Sequence, residues 1–226
     1  MVWDEVIESL DAIIDDYERV NHLISFYQDD KARTRGLDQV GSIHGVSFEL
    51  GSGPGNYSRM ISERTDGELV CLDFSYNMHA AAKERNDDLN NHYIRGVFEA
   101  LPIRDDAIGF LTAAYALRDS LDKEASFNEV HRVLESDGKF LLVDIGKPDN
   151  IILRTGMSVY MQLMVPLIGA LAGGKRPNNP WKILYDTFEL LPRNGKLKEM
   201  VTLIFGASEL TEYSLGGLVN ITAVKR

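Results

Sequence analysis

Residues 48–55 read Phe-Glu-Leu-Gly-Ser-Gly-Pro-Gly, a short apolar run that ends in three glycines at alternate positions. Glycine lacks a Cβ and tolerates positive φ, so such a turn lets a small ligand lie against bare backbone at the carboxyl end of a strand. The spacing is G-x-G-x-G, not the G-x-G-x-x-G of dinucleotide-binding folds. An acid, Glu49, stands two residues before the first glycine.

Around this turn the chain alternates between two hydrophobic periods. Val6, Leu10, Ile13, Ile14 and Tyr17 predict a helix over 3–20, followed by a polar stretch. Strands are predicted over 46–50, 69–73, 92–95, 108–115 and 139–145, the last behind an Asp137-Gly138 turn. Helices are predicted between them, over about 57–63, 78–85 and 124–134. Repeated β-α-β units of this kind imply a parallel sheet with helices on both faces. Two closing strands are predicted over 199–205 and 218–224. The short connection between them calls for antiparallel pairing, so the sheet should end in a hairpin.

The 226 residues suffice for one sizeable core. A net charge of −10 with no basic stripe excludes nucleic acid as the main partner. The single cysteine, Cys71, lies in an apolar run and reads as a small buried hydrophobe. One cysteine rules out an internal disulfide and fits a reducing, cytoplasmic setting. The first residues are acidic (Asp4, Glu5, Glu8), so no signal peptide is expected. The stretch 155–172 carries no charge but contains Gln162 and Pro166 and is barely long enough to span a bilayer. It reads instead as an amphipathic lid over an apolar ligand or a surface that touches a membrane.

In an open sheet of this type, ligands bind outside the carboxyl ends of the strands. The second strand ends in Asp73, where an acid can accept hydrogen bonds from both ribose hydroxyls; Ser75 is the better-placed helix cap. On the residues alone, Tyr115 reads as core and the Arg118-Asp119 pair as a solvated salt bridge worth little. The five histidines show no ligand spacing, and no metal is expected.

The ordered series Glu49-Leu-Gly-Ser-Gly-Pro-Gly, Leu72-Asp73-Phe74-Ser75 with Met78, and Glu99-Ala-Leu-Pro resembles class I S-adenosylmethionine-dependent methyltransferases. More closely, the chain resembles the ubiquinone/menaquinone biosynthesis C-methyltransferase family. Tyr17-Glu-Arg-Val-Asn21 with Ser25-Phe26 is similar to that family's Y-D-x-M-N…S-F element, and Tyr115-Ala-Leu-Arg118-Asp119 to its F-G-L-R-N. Asp122-Lys123-Glu124 matches its T-D-K-E. Arg132-Val-Leu, Asp137-Gly138 and Gly146-Lys147-Pro148 match its R-V-L-K-P-G-G…F-S-K-P. Val165-Pro166-Leu-Ile-Gly169 resembles its V-L-P-x-I-G lid, and Leu215-Gly216-Gly217-Leu218-Val219 its N-L-T-G-G-I-V-A ending.

The resemblance implies a single Rossmann-like methyltransferase domain over 1–226, with a doubly wound, mostly parallel seven-stranded sheet and a terminal antiparallel hairpin. A helical arm would occupy 1–40 and a helical lid 151–180. It also implies S-adenosyl-L-methionine as cofactor, S-adenosylhomocysteine as product, and a prenylated quinol or similar apolar aromatic as methyl acceptor. Glu49 would hold the cofactor's ammonium over Gly51, Ser52, Gly53 and Gly55; Asp73 would take the ribose. Phe74, Met78, Val97 and Phe98 would line the adenine, with Ala114 and Tyr115 beside the methyl group. Arg118, Asp119 and Tyr17 would be the catalytic set, with Arg118 stabilising a phenolate.

Three positions depart from the family pattern. Val97 replaces an asparagine or aspartate, Asp119 replaces an asparagine, and Lys31-Ala32-Arg33 stands where a tryptophan is usual. They keep two alternatives in view: another small-molecule acceptor with oxygen or nitrogen as nucleophile, or a non-catalytic binding module. Peripheral membrane contact and a homodimer also stay open.

Overall fold

The computed structural model of the chain describes residues 14–172 and 180–226. A single-turn 3-10 helix, Ile14–Asp16, leads into α1 (Tyr17–Ser25) and α2 (Gln28–Val40). Seven strands follow: β1 (Ser47–Leu50), β2 (Leu69–Asp73), β3 (Asn91–Arg95), β4 (Ile108–Ala114), β5 (Leu134–Ile145), β6 (Glu209–Tyr213) and β7 (Leu218–Val224). The intervening helices are α3 (Asn56–Ser62), α4 (Tyr76–Arg85) and α5 (Lys123–Val133). After β5 come α6 (Ile151–Ala172, α-helical at its ends with a π turn over Tyr160–Met164), α7 (Ile183–Glu189) and α8 (Asn194–Phe205).

The strands form one sheet in the order β3-β2-β1-β4-β5-β7-β6. The first five pair in parallel; β7 pairs antiparallel with both β5 and β6. The expected doubly wound sheet with its terminal hairpin is therefore present. All four residues of β1 are buried, as a central parallel strand covered on both faces must be. One face packs Phe48, Leu111 and Phe140 under α5 and α8, through Phe127, Val130, Leu197 and Val201. The other packs Cys71, Phe110 and Leu141 under α2 and α3, through Leu37, Tyr57 and Ile61. A third cluster, with Val20, Met78, Met161, Val165, Trp181 and Phe188, ties α1, α4, α6 and α7 together.

Local chemistry starts the helices where it is expected to. Ser75 Oγ accepts from Met78 N at 3.2 Å and Asp122 Oδ1 from Ala125 N at 3.0 Å, so each caps its helix. Asn150 caps α6 by accepting from Ile152 N.

Two elements differ from the sequence expectation. The segment 199–205 is not a strand but the end of α8; the sixth strand is Glu209–Tyr213. The run Met-Val-Thr-Leu-Ile-Phe has strand-like composition, but Leu197, Val201 and Phe205 are buried at intervals of four, which is helical spacing. The stretch after α1, read only as polar, contains helix α2, whose inward face includes the charged residues Asp29 and Arg33. Of the helix predicted over 3–20, residues 1–13 lie outside the described residues.

Candidate active site

The strand order reverses between β1 and β4, which lie side by side with Leu50 opposite Ala113. A reversal opens a cleft at the carboxyl ends of those strands. The glycine turn forms its floor. Gly51, Gly53 and Gly55 have φ of 65°, 53° and 81°, a region that favours glycine. A Cβ on Gly51 would stand 2.4 Å from the Ala116 Cβ, whereas one on Gly53 would meet nothing within 4 Å. Bare backbone thus faces open space at Gly53.

A cavity of about 290 Å³ sits on this floor. Its lining includes Gly51, Gly53, Asp73, Phe74 and Met78 together with Val97, Phe98, Ala114, Tyr115 and Asp119. Asp73 accepts from Gly53 N and Ser75 N, both at 2.9 Å, one on each oxygen. A carboxylate offers about four lone-pair sites, so Asp73 has acceptor capacity beyond these two amides. Burial raises Asp73 to about 6, with the Asp119 charge adding to it, against the pull of the Ser75, Gly53 and Phe74 amides. Ser52 Oγ is buried with no partner among the described residues. An acid at a strand end, exposed glycine backbone and apolar walls suit an adenosine carried on a short polar chain.

A second cavity of about 270 Å³ adjoins the first. Its polar lining includes Asp29, Arg33 and Arg118; its apolar lining includes Met157, Tyr160 and Met161 of α6. Tyr115 lines both cavities and is the partition between them. It sits at the end of β4 with φ of 59°, a costly conformation for a bulky residue. Its hydroxyl donates to the Asp29 carbonyl at 3.2 Å, and the Arg33 guanidinium lies 5.0 Å from its ring centre.

Arg118 and Asp119 follow on the loop after β4, with Arg118 Nε 3.7 Å from Asp119 Oδ1. Arg118 is 4 % exposed, so the sequence reading of a solvated pair does not hold. Burial raises Asp119, with Arg118 opposing. Asp144, at the end of β5, accepts from Leu117 N at 3.1 Å; burial raises it to about 6, with Arg118 again opposing. Arg118 therefore stands in the field of two buried carboxyls.

Of the sequence-derived residues, Glu49, Ser52 and Gly55 line neither cavity. The Glu49 carboxylate turns back to accept from Ser58 Oγ at 2.5 Å and lies 3.7 Å from Cys71 Sγ. Burial raises Glu49 to about 7 and pushes the Cys71 thiol up as well. The Tyr17 side chain lies outside what the structure describes. Sequence reasoning missed Asp29, Arg33 and Asp144. Acids and bases four apart in a polar stretch look like a solvated helix face; only the fold turns these inward. His22 Nε2 comes to 2.8 Å from Asp30 and 3.6 Å from Asp29, a polar cluster that the histidine spacing did not reveal.

Helix α6 is long and apolar enough to cross a membrane by length and composition, and only 11 % of its most apolar stretch is buried, unlike a core helix. Ile152, Leu163 and Leu171 are exposed, while Met161 and Val165 on the opposite side are buried.

The sheet order, the glycine turn and the acid at the end of β2 define the S-adenosylmethionine-dependent methyltransferase fold. A solved methyltransferase of this class from Thermotoga maritima superimposes with a TM-score of 0.69 at 14 % identity, covering 98 % of this chain and all of that one. One from Aquifex aeolicus gives 0.59 at 14 % identity, over 86 % of this chain and 89 % of its own. The chain belongs to the ubiE/COQ5 methyltransferase family, whose model matches residues 3–225. It is 27 % identical over 229 residues to the demethylmenaquinone methyltransferase of Lactococcus lactis, covering 98 % of this chain and 90 % of that one. The enzyme of the same name from Chlamydia caviae is 26 % identical over 195 residues, covering 85 % and 84 %. The chain is thus a methyltransferase that uses S-adenosylmethionine, and the non-catalytic alternative falls.

Proposed function

We propose that this methyltransferase alkylates a ring carbon of a prenylated quinol of the demethylmenaquinol type. The observation that carries the reading is the second cavity: a buried guanidinium, Arg118, meets an apolar wall of Met157, Tyr160 and Met161 across the Tyr115 partition from the first cavity. That combination fits a flat phenol with an apolar tail. The names of the relatives support the same acceptor.

Asp73 would take the cofactor's ribose, with Phe74, Met78, Val97 and Phe98 around the adenine and Gly51 to Gly55 under the remainder. Val97 offers only backbone polar atoms, so adenine selection would fall to the main chain or to Glu99 beside it. When bound, the cofactor supplies an electrophilic methyl carbon. The protein's part is charge placement and alignment. Arg118 would stabilise the phenolate that makes the ring carbon nucleophilic, and Asp119, next to it on the loop and made more basic by burial, would accept the hydroxyl proton. Holding acceptor and methyl group in line would contribute several kcal/mol more by avoided entropy loss, on the order of 7–11 at best. The stretch 151–180 would act as the lid of a single domain and 1–40 as its arm. The outer face of α6 would meet the membrane that holds such an acceptor, at its cytoplasmic side.

The test is product analysis with a reduced demethylnaphthoquinol bearing a prenyl tail. A product one methylene heavier that retains both phenolic hydroxyls supports the reading. A methyl group on oxygen, or turnover only with amines, would overturn it in favour of the alternative acceptor class.

A further inference from the structure

Asp144 is fully buried and lines neither cavity, so no contact with cofactor or acceptor accounts for its charge. It follows Val143, which pairs with Ala114 at the end of β4 and whose carbonyl accepts from Tyr115 N at 2.8 Å. The end of β5 therefore runs beside the loop that carries Arg118. Asp144 Oδ2 accepts from Leu117 N at 3.1 Å, which fixes the backbone one residue before Arg118; Oδ1 accepts from Ile145 N at 2.7 Å. A carboxylate buried in this way is costly unless a counter-charge stands near it. Burial raises Asp144 to about 6, and Arg118 is the strongest pull the other way, ahead of either amide.

Arg118 has a second acid beside it. Its Nε lies 3.7 Å from Asp119 Oδ1, and the Asp119 and Asp144 charges repel each other. With both ionised, one guanidinium faces two negative charges where a phenolate must also form. The neighbouring elements do not remove this imbalance. Lys123 of α5 attracts both carboxyls, but its Nζ donates to the Ser120 carbonyl at 3.1 Å, and Glu99 and Asp122 draw on the same charge. Asp73, at the end of β2, adds a further repulsion toward Asp119. Tyr115 brings no charge: burial keeps its phenol protonated, and Asp144 adds to that.

We propose that Asp144 is a positioning residue that takes up the Arg118 charge and so leaves Asp119 free to receive the acceptor's hydroxyl proton. This rests on the acceptor reading above. Opposite ionised Asp144, Arg118 lends the Asp119 anion little stabilisation, and the Asp144 charge repels it. Both effects keep Asp119 a competent base. The proton passes from the acceptor hydroxyl to the Asp119 carboxylate. Negative charge thereby moves from Asp119 to the phenolate oxygen, and the total around Arg118 is unchanged. The bond from Leu117 N holds the Arg118 loop in place meanwhile.

The pH dependence of kcat with a prenylated naphthoquinol tests this. Asp119 must be ionised to act, so kcat falls on the acidic side as Asp119 gains its proton. Asp144→Asn removes the repulsion and returns the Arg118 charge to Asp119. The acidic limb should move about one unit to lower pH and the plateau fall about three- to tenfold, as a weaker base requires. S-adenosylhomocysteine affinity should stay within about twofold, because residues that share no contacts act independently. A lower plateau with an unmoved limb is what a disordered loop alone gives, and would overturn the proposal. A second measurement does not depend on that variant folding. Charge repulsion is mutual, so Asp119→Asn should lower the Asp144 midpoint from about 6, followed by carbon-13 resonance of labelled aspartate in the full chain. An unmoved midpoint would overturn the proposal as well. Wild-type protein that leaves the ring carbon unmethylated would instead remove the acceptor reading beneath it.

Discussion

Ser58 donates a 2.5 Å hydrogen bond to Glu49 at the foot of the glycine turn, and both side chains are closed off from water. Burial is the larger influence on the acid, raising it from 4.5 to about 7 against the pull of Ser58 and the Arg33 charge. The folded chain therefore holds a proton here that the unfolded chain releases at a lower pH. Asp73 and Asp144, each raised to about 6, act in the same direction.

The sign of the pH dependence follows. These carboxyls contribute stability that is fully present below their unfolded pKa and is lost as pH rises through about 6 to 7. Thermal unfolding should move to lower temperature between pH 5 and pH 8. Glu49→Gln, which cannot ionise, should flatten the upper part of that decline by on the order of 2 kcal/mol. Identical slopes in variant and wild type would show that Glu49 is ionised in the fold.

Arg118 faces the second cavity, not the first. Arg118→Ala should therefore lower kcat by about 10²–10³-fold, the usual cost of a lost charge-stabilising donor. S-adenosylhomocysteine affinity should stay within twofold of wild type. Arg118→Lys should recover part of the rate. A matching loss of S-adenosylhomocysteine affinity would place Arg118 in cofactor binding instead.

Asp73 ties the turn to β2 through Gly53 and keeps lone pairs for a ligand. Asp73→Asn preserves size but replaces a charged acceptor, and two hydrogen bonds to a charged group are worth roughly 1.5–3 kcal/mol each. S-adenosylhomocysteine binding measured by calorimetry should weaken at least a hundredfold. Unchanged affinity would mean that the ribose lies elsewhere.

The sheet was legible because its signals are local. The strands at Leu69–Asp73 and Leu218–Val224 match their predicted bounds, since alternate or continuous apolar runs end at polar turns. Ser75 announced its own helix. Over 199–205 the same reasoning failed, because a short apolar run has no period until its buried residues are known. The site divided similarly. Gly51, Gly53 and Asp73 stand at strand ends, where sequence order alone predicts a ligand. Asp29, Arg33 and Asp144 owe their place to tertiary packing: α2 must fold over β5 and β7 before its charges face a cavity. Glu49 shows the converse. Its position was readable, but the direction of its carboxylate was set by Ser58 and Cys71 on neighbouring elements.

Two glycines on α6 should respond to alanine with opposite signs. A Cβ on Gly169 would stand 2.3 Å from Trp181 Cγ, and Trp181 is 2 % exposed in the cluster that fastens α6 and α7 to the body. Gly169→Ala should overpack this contact and cost about 1–3 kcal/mol, lowering the Tm by roughly 2–4 °C for each kcal/mol. Because α6 also supplies Met157 and Met161 to the second cavity, the acceptor KM should rise more than the S-adenosylhomocysteine Kd. A Cβ on Gly156 would meet nothing within 4 Å. Gly156→Ala should stabilise the helix by about 0.5–1 kcal/mol through lower backbone entropy in the unfolded chain. Calorimetric melting of the two variants beside wild type decides the matter. A stabilised Gly169→Ala would mean that α6 does not pack on Trp181 in solution.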